Sequence, residues 1–349
     1  MDPRAAYWQC VLGAELAPAR IRLLTDGNVR DGYPTEPRSY LSSRPGLTDS
    51  ERKRLSTAKL DPVTKAVVAG VRVLERQQFP VRLAQWSAAP PALFVWGDPS
   101  CLEAPTVAVV GTRAASVYGK AAAQKFAEAL AEAGITVVSG GALGIDAAAH
   151  EAVLAAGGKT AAVLAGGVDR AYPAVHRGLF RRIREGGCLL SPFALGTLPR
   201  RGYFLSRNSL VAALSDAVLV VEAPEKSGSL STANAAADLG RQVFVVPANV
   251  SALTFRGSHD LIRSGATLVD HPDQVLLDMG IKPKEKKAQA KAHSEEQALI
   301  LSVLSVDPTT TERIAGQAGL EPSAVLAELT MLELEGLVIR AAGGYALRP

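Results

Sequence analysis

The sequence contains few cysteines, no long apolar run and no common nucleotide-binding motif. Its three cysteines, Cys10, Cys101 and Cys188, lie far apart, which is typical of buried thiols in a reducing compartment. No group of His and Cys residues has the spacing of a zinc site. The longer apolar stretches carry charges or glycine, so no membrane-spanning helix is expected. The first four residues, MDPR, lack the layout of a signal peptide, and we therefore expect a cytoplasmic protein.

Two common phosphate-binding motifs are also missing, namely GxGxxG and GxxxxGK(S/T). Instead, two apolar runs each end in small residues and open a predicted helix. They are 107–113 (VAVVGTR) and 135–146 (ITVVSGGALGID). In a parallel α/β sheet such turns line the crevice at the carboxyl ends of the strands, where free N–H groups favour anions. The sequence therefore predicts a site for a phosphate-bearing ligand.

Short β-branched runs alternate with Ala-rich helical segments from Thr106 onward. Strands are predicted at 106–111, 135–139, 160–165, 187–191, 217–222, 242–246 and 266–269. Helices are predicted at 119–133, 145–157, 176–185, 206–215, 228–239 and 258–265. This alternation predicts an α/β fold with a Rossmann-like, doubly wound, mostly parallel sheet covered on both faces.

Other segments flank this region, which we place at 76–280. Residues 1–75 lack strand alternation and predict a small helical domain, while 88–96 predicts an edge strand. The polar, basic stretch 281–293 has little to bury and predicts a linker. Residues 294–349 predict a winged helix, with helices near 295–305, 310–318 and 322–335 followed by a Gly-Gly hairpin.

The net charge of +4 is unevenly distributed, because residues 281–293 carry +4 and residues 294–349 carry −5. The presumed recognition helix of the winged helix holds four carboxylates and no Lys or Arg, at Glu321, Glu328, Glu333 and Glu335. A helix that enters the major groove needs the opposite charge. We therefore expect the winged helix to contact protein or to pack rather than to read DNA.

Several residues near the predicted strand ends could bind phosphate. Arg113 follows Gly111-Thr112 and offers a planar fork of donors. The Ser139-Gly140-Gly141 turn lets backbone approach a ligand closely, although the fold alone could also require it. Asp146 is expected to cap the helix that begins there, and His150 to pack, rather than to form an acid–base pair.

A second group of candidates combines basic and aromatic side chains. Arg200 and Arg201 precede a segment with Tyr203, Phe204, Arg207 and Asn208, a pattern that suits single-stranded nucleic acid because bases stack on rings. The hydroxyl-rich stretch 227–233 predicts another helix N-terminus that favours anions. The arginines at 177, 181, 182 and 184 are interpreted as a solvated helix face.

At these residues the chain resembles the DNA-processing protein A family, also called Smf. Five motif blocks occur in order: Gly111-Thr112-Arg113, then Ser139–Asp146 with Ala149-His150, then 162–173 (AVLAGGVDRAYP), then 220–247, and finally Gly257 to Ala266. Each block alone is weak evidence for the family, but all five in this order are specific to it. The chain departs from the family at Ser209, which replaces the second Arg of an RNR segment, at Ala248 and at Phe79.

The resemblance implies a cytoplasmic, sequence-independent single-stranded-DNA-binding protein that protects incoming strands in natural transformation. It also implies loading of a RecA-type recombinase past single-strand-binding protein, a homodimer formed through the Rossmann-like domain, and a SAM-like N-terminal domain. Neither enzymatic activity nor a cofactor or metal is implied. The predicted DNA-binding residues are Gly111, Thr112, Arg113, Ser139, Gly140, Gly141, Arg200, Arg201, Phe204, Arg207, Asn208, Ser227, Gly228 and Ser229.

Two alternative hypotheses about the function remain open at this point. A Rossmann-like nucleotide phosphoribohydrolase would carry PGGxGTxxE with a catalytic Glu, but the corresponding region reads EAPEKSGS from Glu222. A winged-helix transcription regulator would need a basic recognition helix, which the acidic tail does not provide.

Overall fold

The computed structural model describes residues 2–25, 32–283, 294–305, 308–334, 337–341 and 343–347. The chain divides into two compact units, Met1–Pro283 and Lys284–Pro349. Most of the predicted linker, 284–293, and the predicted recognition-helix residue Glu335 lie outside the described residues. In the described ranges, no helix is both long and apolar enough to span a membrane.

A nine-stranded sheet forms the centre of the first unit, with the order β1-β2-β6-β5-β4-β3-β7-β8-β9. The β1–β2 and β2–β6 pairs are antiparallel, and all pairs from β6 to β9 are parallel. The strands are β1 Val71–Glu75, β2 Ala92–Gly97, β3 Thr106–Val110, β4 Thr136–Ser139, β5 Thr160–Val163, β6 Gly187–Ser191, β7 Ala217–Val220, β8 Gln242–Val245 and β9 Thr267–Leu268.

Helices cover both faces of this sheet. The first unit contains α1 Pro3–Gly13, α2 Pro18–Thr25, α3 Pro37–Ser42, α4 Asp49–Ser56, α5 Asp61–Val68, α6 Val81–Ala84, α7 Val117–Glu132, α8 Ile145–Ala155, α9 Arg177–Gly186, α10 Arg201–Ala213, α11 Ser229–Asp238, α12 Arg256–Arg263 and α13 Pro272–Asp278. Residues of α7, α8 and α13 share one apolar cluster with alternate residues of β3, while α10 and α11 pack on the opposite face. The predicted Rossmann-like, doubly wound fold is confirmed.

Two predictions about the first strands are wrong. Residues 71–75 were expected in the helical domain but form β1, the outermost strand of the sheet, and β2 is therefore not an edge strand. The apolar run in β2 explains its position. Ala92 and Phe94 pack on the N-terminal helices, whereas Leu93 and Val95 pack on the main core, as expected of a strand buried on both faces.

The N-terminal helices are joined to the sheet by apolar packing and by one buried amide. Gln9, on α1, donates from Nε2 to the carbonyls of Lys59 and Leu195, each at 3.1 Å. Its Oε1 accepts from the Leu195 amide at 2.8 Å. Because a buried polar group needs its partners, this side chain fixes α1 against the loop after β6.

The second unit is a winged helix, as predicted. It consists of α14 Glu295–Val303, α15 Thr311–Ala318, α16 Pro322–Leu334 and the hairpin β10 Val338–Ala341 with β11 Gly344–Leu347. Ile300, Ile314 and Leu329, one from each helix, are fully buried in its core. Tyr345 of the hairpin exchanges backbone hydrogen bonds with Thr309, both at 2.9 Å.

Candidate nucleic-acid interface

A pocket of about 60 Å³ opens at the carboxyl ends of β3, β4 and β5. In a doubly wound sheet ligands bind at this end of the strands, near the point where the strand order reverses, which here lies between β3 and β7. Four residues predicted from the sequence line the pocket, namely Arg113, Gly140, Phe204 and Arg207. The other lining residues are Ala142, Leu143, Ala165, Tyr172 and Pro173.

Arg207 reaches the pocket from the interior, because only 6% of its surface is exposed. Its guanidinium lies directly against Gly140, and a Cβ placed on that glycine would overlap Nη1. Gly140 therefore provides the space that the arginine occupies. The Arg207 Nε is buried without a hydrogen-bond partner among the described residues.

Asp146 lies beneath the same turn. The prediction that it caps α8 is wrong. The N-cap residue of α8 is Gly144, which has no side chain that could accept a hydrogen bond from the first turn. The Asp146 carboxylate instead accepts from the amides of Gly140 at 3.1 Å and Ala142 at 3.2 Å. The carboxylate therefore fixes the glycine turn from inside rather than the first turn of the helix.

Burial shifts the pKa of both buried charges toward the neutral form. Burial raises the pKa of Asp146, although the nearby Arg207 cation and the turn amides oppose this shift. Burial likewise lowers the pKa of Arg207, and the Asp146 carboxylate opposes that shift. A further opposite charge would stabilise the ionised form of either group. A phosphate in the pocket would supply that charge for Arg207.

The Phe204 ring lies close to two cations in the pocket. The Arg113 guanidinium lies 5.0 Å from the ring centroid, and that of Arg207 lies 5.9 Å from it. The Tyr172 ring, half exposed, is 5.9 Å from Phe204 at an interplanar angle of 58°. The pocket therefore combines two guanidinium groups with two rings, which suits a phosphate next to an unpaired base.

Other predicted residues support the strand ends rather than face the pocket. Ser139 is fully buried and donates its hydroxyl to the Val109 carbonyl at 2.7 Å, so its side chain is not available to DNA. The Thr112 amide donates to the Glu222 carbonyl at 2.7 Å. Gly111 leaves room for Ile145, and Gly141, with φ of +66°, leaves room for Phe180.

The remaining predicted residues lie at two other places. Ser227, Gly228 and Ser229 stand at the start of α11, where Asn208 donates to the Gly228 carbonyl at 3.0 Å. These contacts join α10 to α11, and none of the four residues lines the pocket. Arg201 is exposed at the first position of α10.

Arg200 and Tyr203 are already engaged by the carboxylate of Glu15, which lies in the turn between α1 and α2. The Arg200 Nη1 lies 3.3 Å from Glu15 Oε1, and the Tyr203 hydroxyl donates to the same oxygen at 2.8 Å. Tyr203 also stacks on Phe193, with ring centroids 4.2 Å apart. Sequence reasoning could not foresee this competition, because Glu15 is distant in the chain.

Tyr172 and Leu143 were missed as pocket residues, although signals for both were present. Tyr172 ends the AVLAGGVDRAYP block, and Leu143 lies inside the predicted glycine turn. Both are large apolar side chains with exposed surface, at 50% and 44% respectively. Both therefore add apolar surface, on which a base could stack, to a pocket that is also lined by two arginines.

The carboxylates and histidines near the pocket bear on two alternatives, a metal site and a phosphoribohydrolase. No group of His, Cys, Asp and Glu side chains in the described ranges could hold a metal ion. Glu222 is fully buried, and its Oε2 accepts from the amide and hydroxyl of Ser116, both at 2.9 Å. That carboxylate stabilises the start of α7 rather than facing a substrate, which argues against the phosphoribohydrolase reading.

His150 packs as predicted. It is fully buried, with Nδ1 2.7 Å from the Thr160 hydroxyl. Burial, together with the nearby His176 and Arg207, lowers its pKa to about 3. The imidazole is therefore neutral at physiological pH and serves the packing of α8.

Comparisons with known proteins identify the family to which the sequence is similar. The family described as DNA recombination-mediator protein A matches residues 70–280, and the DprA winged helix domain matches residues 284–344. A Mycobacterium tuberculosis protein named for DNA processing, DprA, is 41% identical over 255 residues, which are 68% of this chain and 66% of that relative. The match thus spans just under two thirds of the relative's length.

Two solved structures are similar to the chain. DNA processing protein A from Streptococcus pneumoniae has 31% identity and a TM-score of 0.66, and the match covers 78% of this chain and 97% of that one. DNA processing protein A from Helicobacter pylori, whose structure describes a single-stranded DNA binding mode, has 32% identity and a TM-score of 0.56. That match covers 60% of this chain and 95% of the other.

Proposed function

Because the chain belongs to the DNA recombination-mediator protein A family, we propose that it binds single-stranded DNA without sequence preference. The predicted role is to protect incoming strands and to load a RecA-type recombinase on them during natural transformation and recombination. The similar Helicobacter pylori protein, described as binding single-stranded DNA, supports the ligand class.

The observation that carries this proposal is the position of the Phe204 ring within 6 Å of the guanidinium groups of Arg113 and Arg207, with Tyr172 beside it. A guanidinium group binds phosphate through parallel donors, and a ring stacks on any base. Neither contact distinguishes one base from another. The arrangement therefore favours backbone-and-stacking recognition rather than base reading, and a binding protein rather than an enzyme.

The expected partners follow from this role. They are single-stranded DNA, a RecA-type recombinase and single-strand-binding protein, all of which place the protein in the cytoplasm. We also propose a homodimer through the Rossmann-like region. Exposed apolar side chains support it. Val117 and Tyr118 are exposed, the Tyr118 ring is 5.7 Å from that of Phe255, and Val250 and Leu253, close to Phe255 in sequence, are exposed as well.

The test uses the exposed side of the pocket, because Arg207 is buried beside Asp146 and its removal would leave a buried carboxylate without its cation. The double variant Arg113→Ala/Phe204→Leu should bind a mixed-sequence oligonucleotide at least about tenfold more weakly, since a charge-assisted contact is worth roughly 1.5–3 kcal/mol. Fluorescence anisotropy measures the affinity. Arg263→Ala, an exposed arginine outside the pocket, is the matched control. Unchanged affinity in the folded double variant would refute the site.

A further inference from the structure

A second cavity, of about 690 Å³, lies beside the pocket and is lined by four arginines. Arg170 comes from the loop after β5, and Arg177, Arg181 and Arg184 come from α9. We call this cavity the α9 groove. Trp96 and Tyr172 also line it, so the groove repeats the combination of cations and rings found in the pocket.

The sequence of α9 explains why three arginines face the groove. Arg177, Arg181 and Arg184 follow the i, i+4, i+7 spacing that places side chains on one face of a helix. Leu179 and Ile183 are buried beneath the helix. Arg182, on the same helix, does not line the groove. The arginines of α9 are therefore concentrated on the face that lines the groove.

The charges in the groove are poorly neutralised. In the described part of the chain, Arg177 and Arg181 have neither an ion-pair nor a hydrogen-bond partner, and both are exposed. Arg170 pairs with Asp169 at 3.5 Å, the only carboxylate among the lining residues. Arg184 lies over the Trp96 ring at 4.2 Å. Like charges gathered in a concave site raise the local potential for an anion.

Tyr172 connects the groove to the pocket, because it lines both cavities. Its ring is 5.9 Å from Phe204, which itself lies 5.0 Å from the Arg113 guanidinium. A polyanion held at Arg113 can therefore continue past Tyr172 to α9, and the one lining carboxylate, Asp169, is paired with Arg170. Arg177 and Arg181 are about 6 Å apart along the helix axis.

We infer that the α9 groove binds a second stretch of the same single strand that the pocket holds, with Arg177 and Arg181 on successive phosphates. This inference rests on the proposed function of the pocket. A single strand fits better than a free nucleotide, because the arginines form a row and the Trp96 ring is already covered by Arg184. The groove would lengthen the occupied strand without adding sequence preference.

The experiment compares oligothymidylates of about six and about twenty nucleotides, lengths chosen around the usual span of one binding module. The full-length variant Arg177→Ala/Arg181→Ala should bind the long strand about tenfold more weakly, since each exposed ionic contact contributes roughly a factor of three. Its log–log salt slope on the long strand should become less negative by about 1.4. Binding of the short strand should not change.

Arg182→Ala is the matched control, because it removes an arginine of the same helix outside the groove. It should leave both affinities unchanged. The charge-reversed variant Arg177→Glu/Arg181→Glu should deepen the loss on the long strand alone. An unchanged long-strand affinity, or equal losses on both lengths, would overturn the inference. A wild-type protein that binds neither strand would refute the proposed function instead, so the two failures are distinguishable.

Discussion

Gly140 and Arg207 depend on each other, because the guanidinium occupies the space that a side chain at position 140 would need. The glycine has no positive φ that would itself exclude alanine. The requirement is therefore spatial. A single methyl group at this position would act on DNA binding through the arginine rather than through the backbone.

We expect Gly140→Ala to displace the Arg207 guanidinium and to weaken single-strand binding about tenfold or more, the range of one charge-assisted contact. Anisotropy titration measures this loss. Gly202→Ala is the control, because a Cβ there meets no atom within 4 Å and lies on the same helix as Arg207. Equal affinity for Gly140→Ala and wild type would show that Arg207 does not contact the strand.

His150 predicts a pH dependence of stability. Its pKa is lowered to about 3 in the folded protein, so below about pH 6.5 the unfolded chain binds a proton that the folded chain does not. This contribution to stability is complete at neutral pH and is lost as the pH falls, by about 2 kcal/mol at pH 5. Urea unfolding of wild type and His150→Asn at pH 7 and pH 5 measures it. The stability difference between the two proteins should shrink by that amount, and a constant difference would contradict the assignment.

At the residue scale, the sequence predicted the cations and one ring of the pocket but not their pairing. Arg113 and Gly140 were identified because they follow strand ends, and Phe204 and Arg207 because basic and aromatic residues alternate in that segment. The burial of Arg207 beside Asp146 could not be predicted, because the two residues are distant in the chain and come from helices on opposite faces of the sheet. A local sequence pattern predicts which side chains lie near a strand end, but it does not predict how far they are buried.

At the element scale, α16 carries the wrong charge for a helix that enters DNA. Glu328 and Glu333 lie within Pro322–Leu334, and no Lys or Arg does. The hydrophobic periodicity predicted all three helices and the hairpin of this unit. The segment 88–96 was also predicted correctly to contain a strand. The position of that strand in the sheet could not be predicted, because residues 71–75 were not recognised as a strand. Their short run carries Arg72 and Glu75 and resembles the end of a helix.

Two truncated chains separate the contributions of the winged helix and the basic stretch before it. A chain that ends at Gly280 should keep a folded Rossmann-like unit, because all nine strands of the sheet lie upstream. It should lose a salt-sensitive part of its affinity with the lysines between 282 and 291. A chain that ends at Ser294 should bind nearly as well as the full protein. If that longer chain loses most of its single-strand affinity, the winged helix reads DNA and the charge argument is wrong.

At the scale of the whole molecule, binding led by phosphates should depend strongly on salt. The logarithm of the affinity should fall linearly with the logarithm of salt concentration, with a slope of about −0.7 per neutralised phosphate. Slopes for mixed-sequence strands should agree, because guanidinium groups and rings do not read bases. Titrations at several salt concentrations measure this. A flat response, or a strong preference for one sequence, would contradict the proposed mode.

The shared core of the N-terminal helices and the sheet has a consequence for how the protein unfolds. Phe94 and Val73 belong to the sheet yet are buried in one apolar cluster with the N-terminal helices, and Gln9 of α1 has a partner in the loop after β6. Neither part can lose its fold without exposing the other's apolar surface to water. Residues 2–283 should therefore melt as one cooperative transition in calorimetry, while the winged helix, with its own core, melts in a transition of its own.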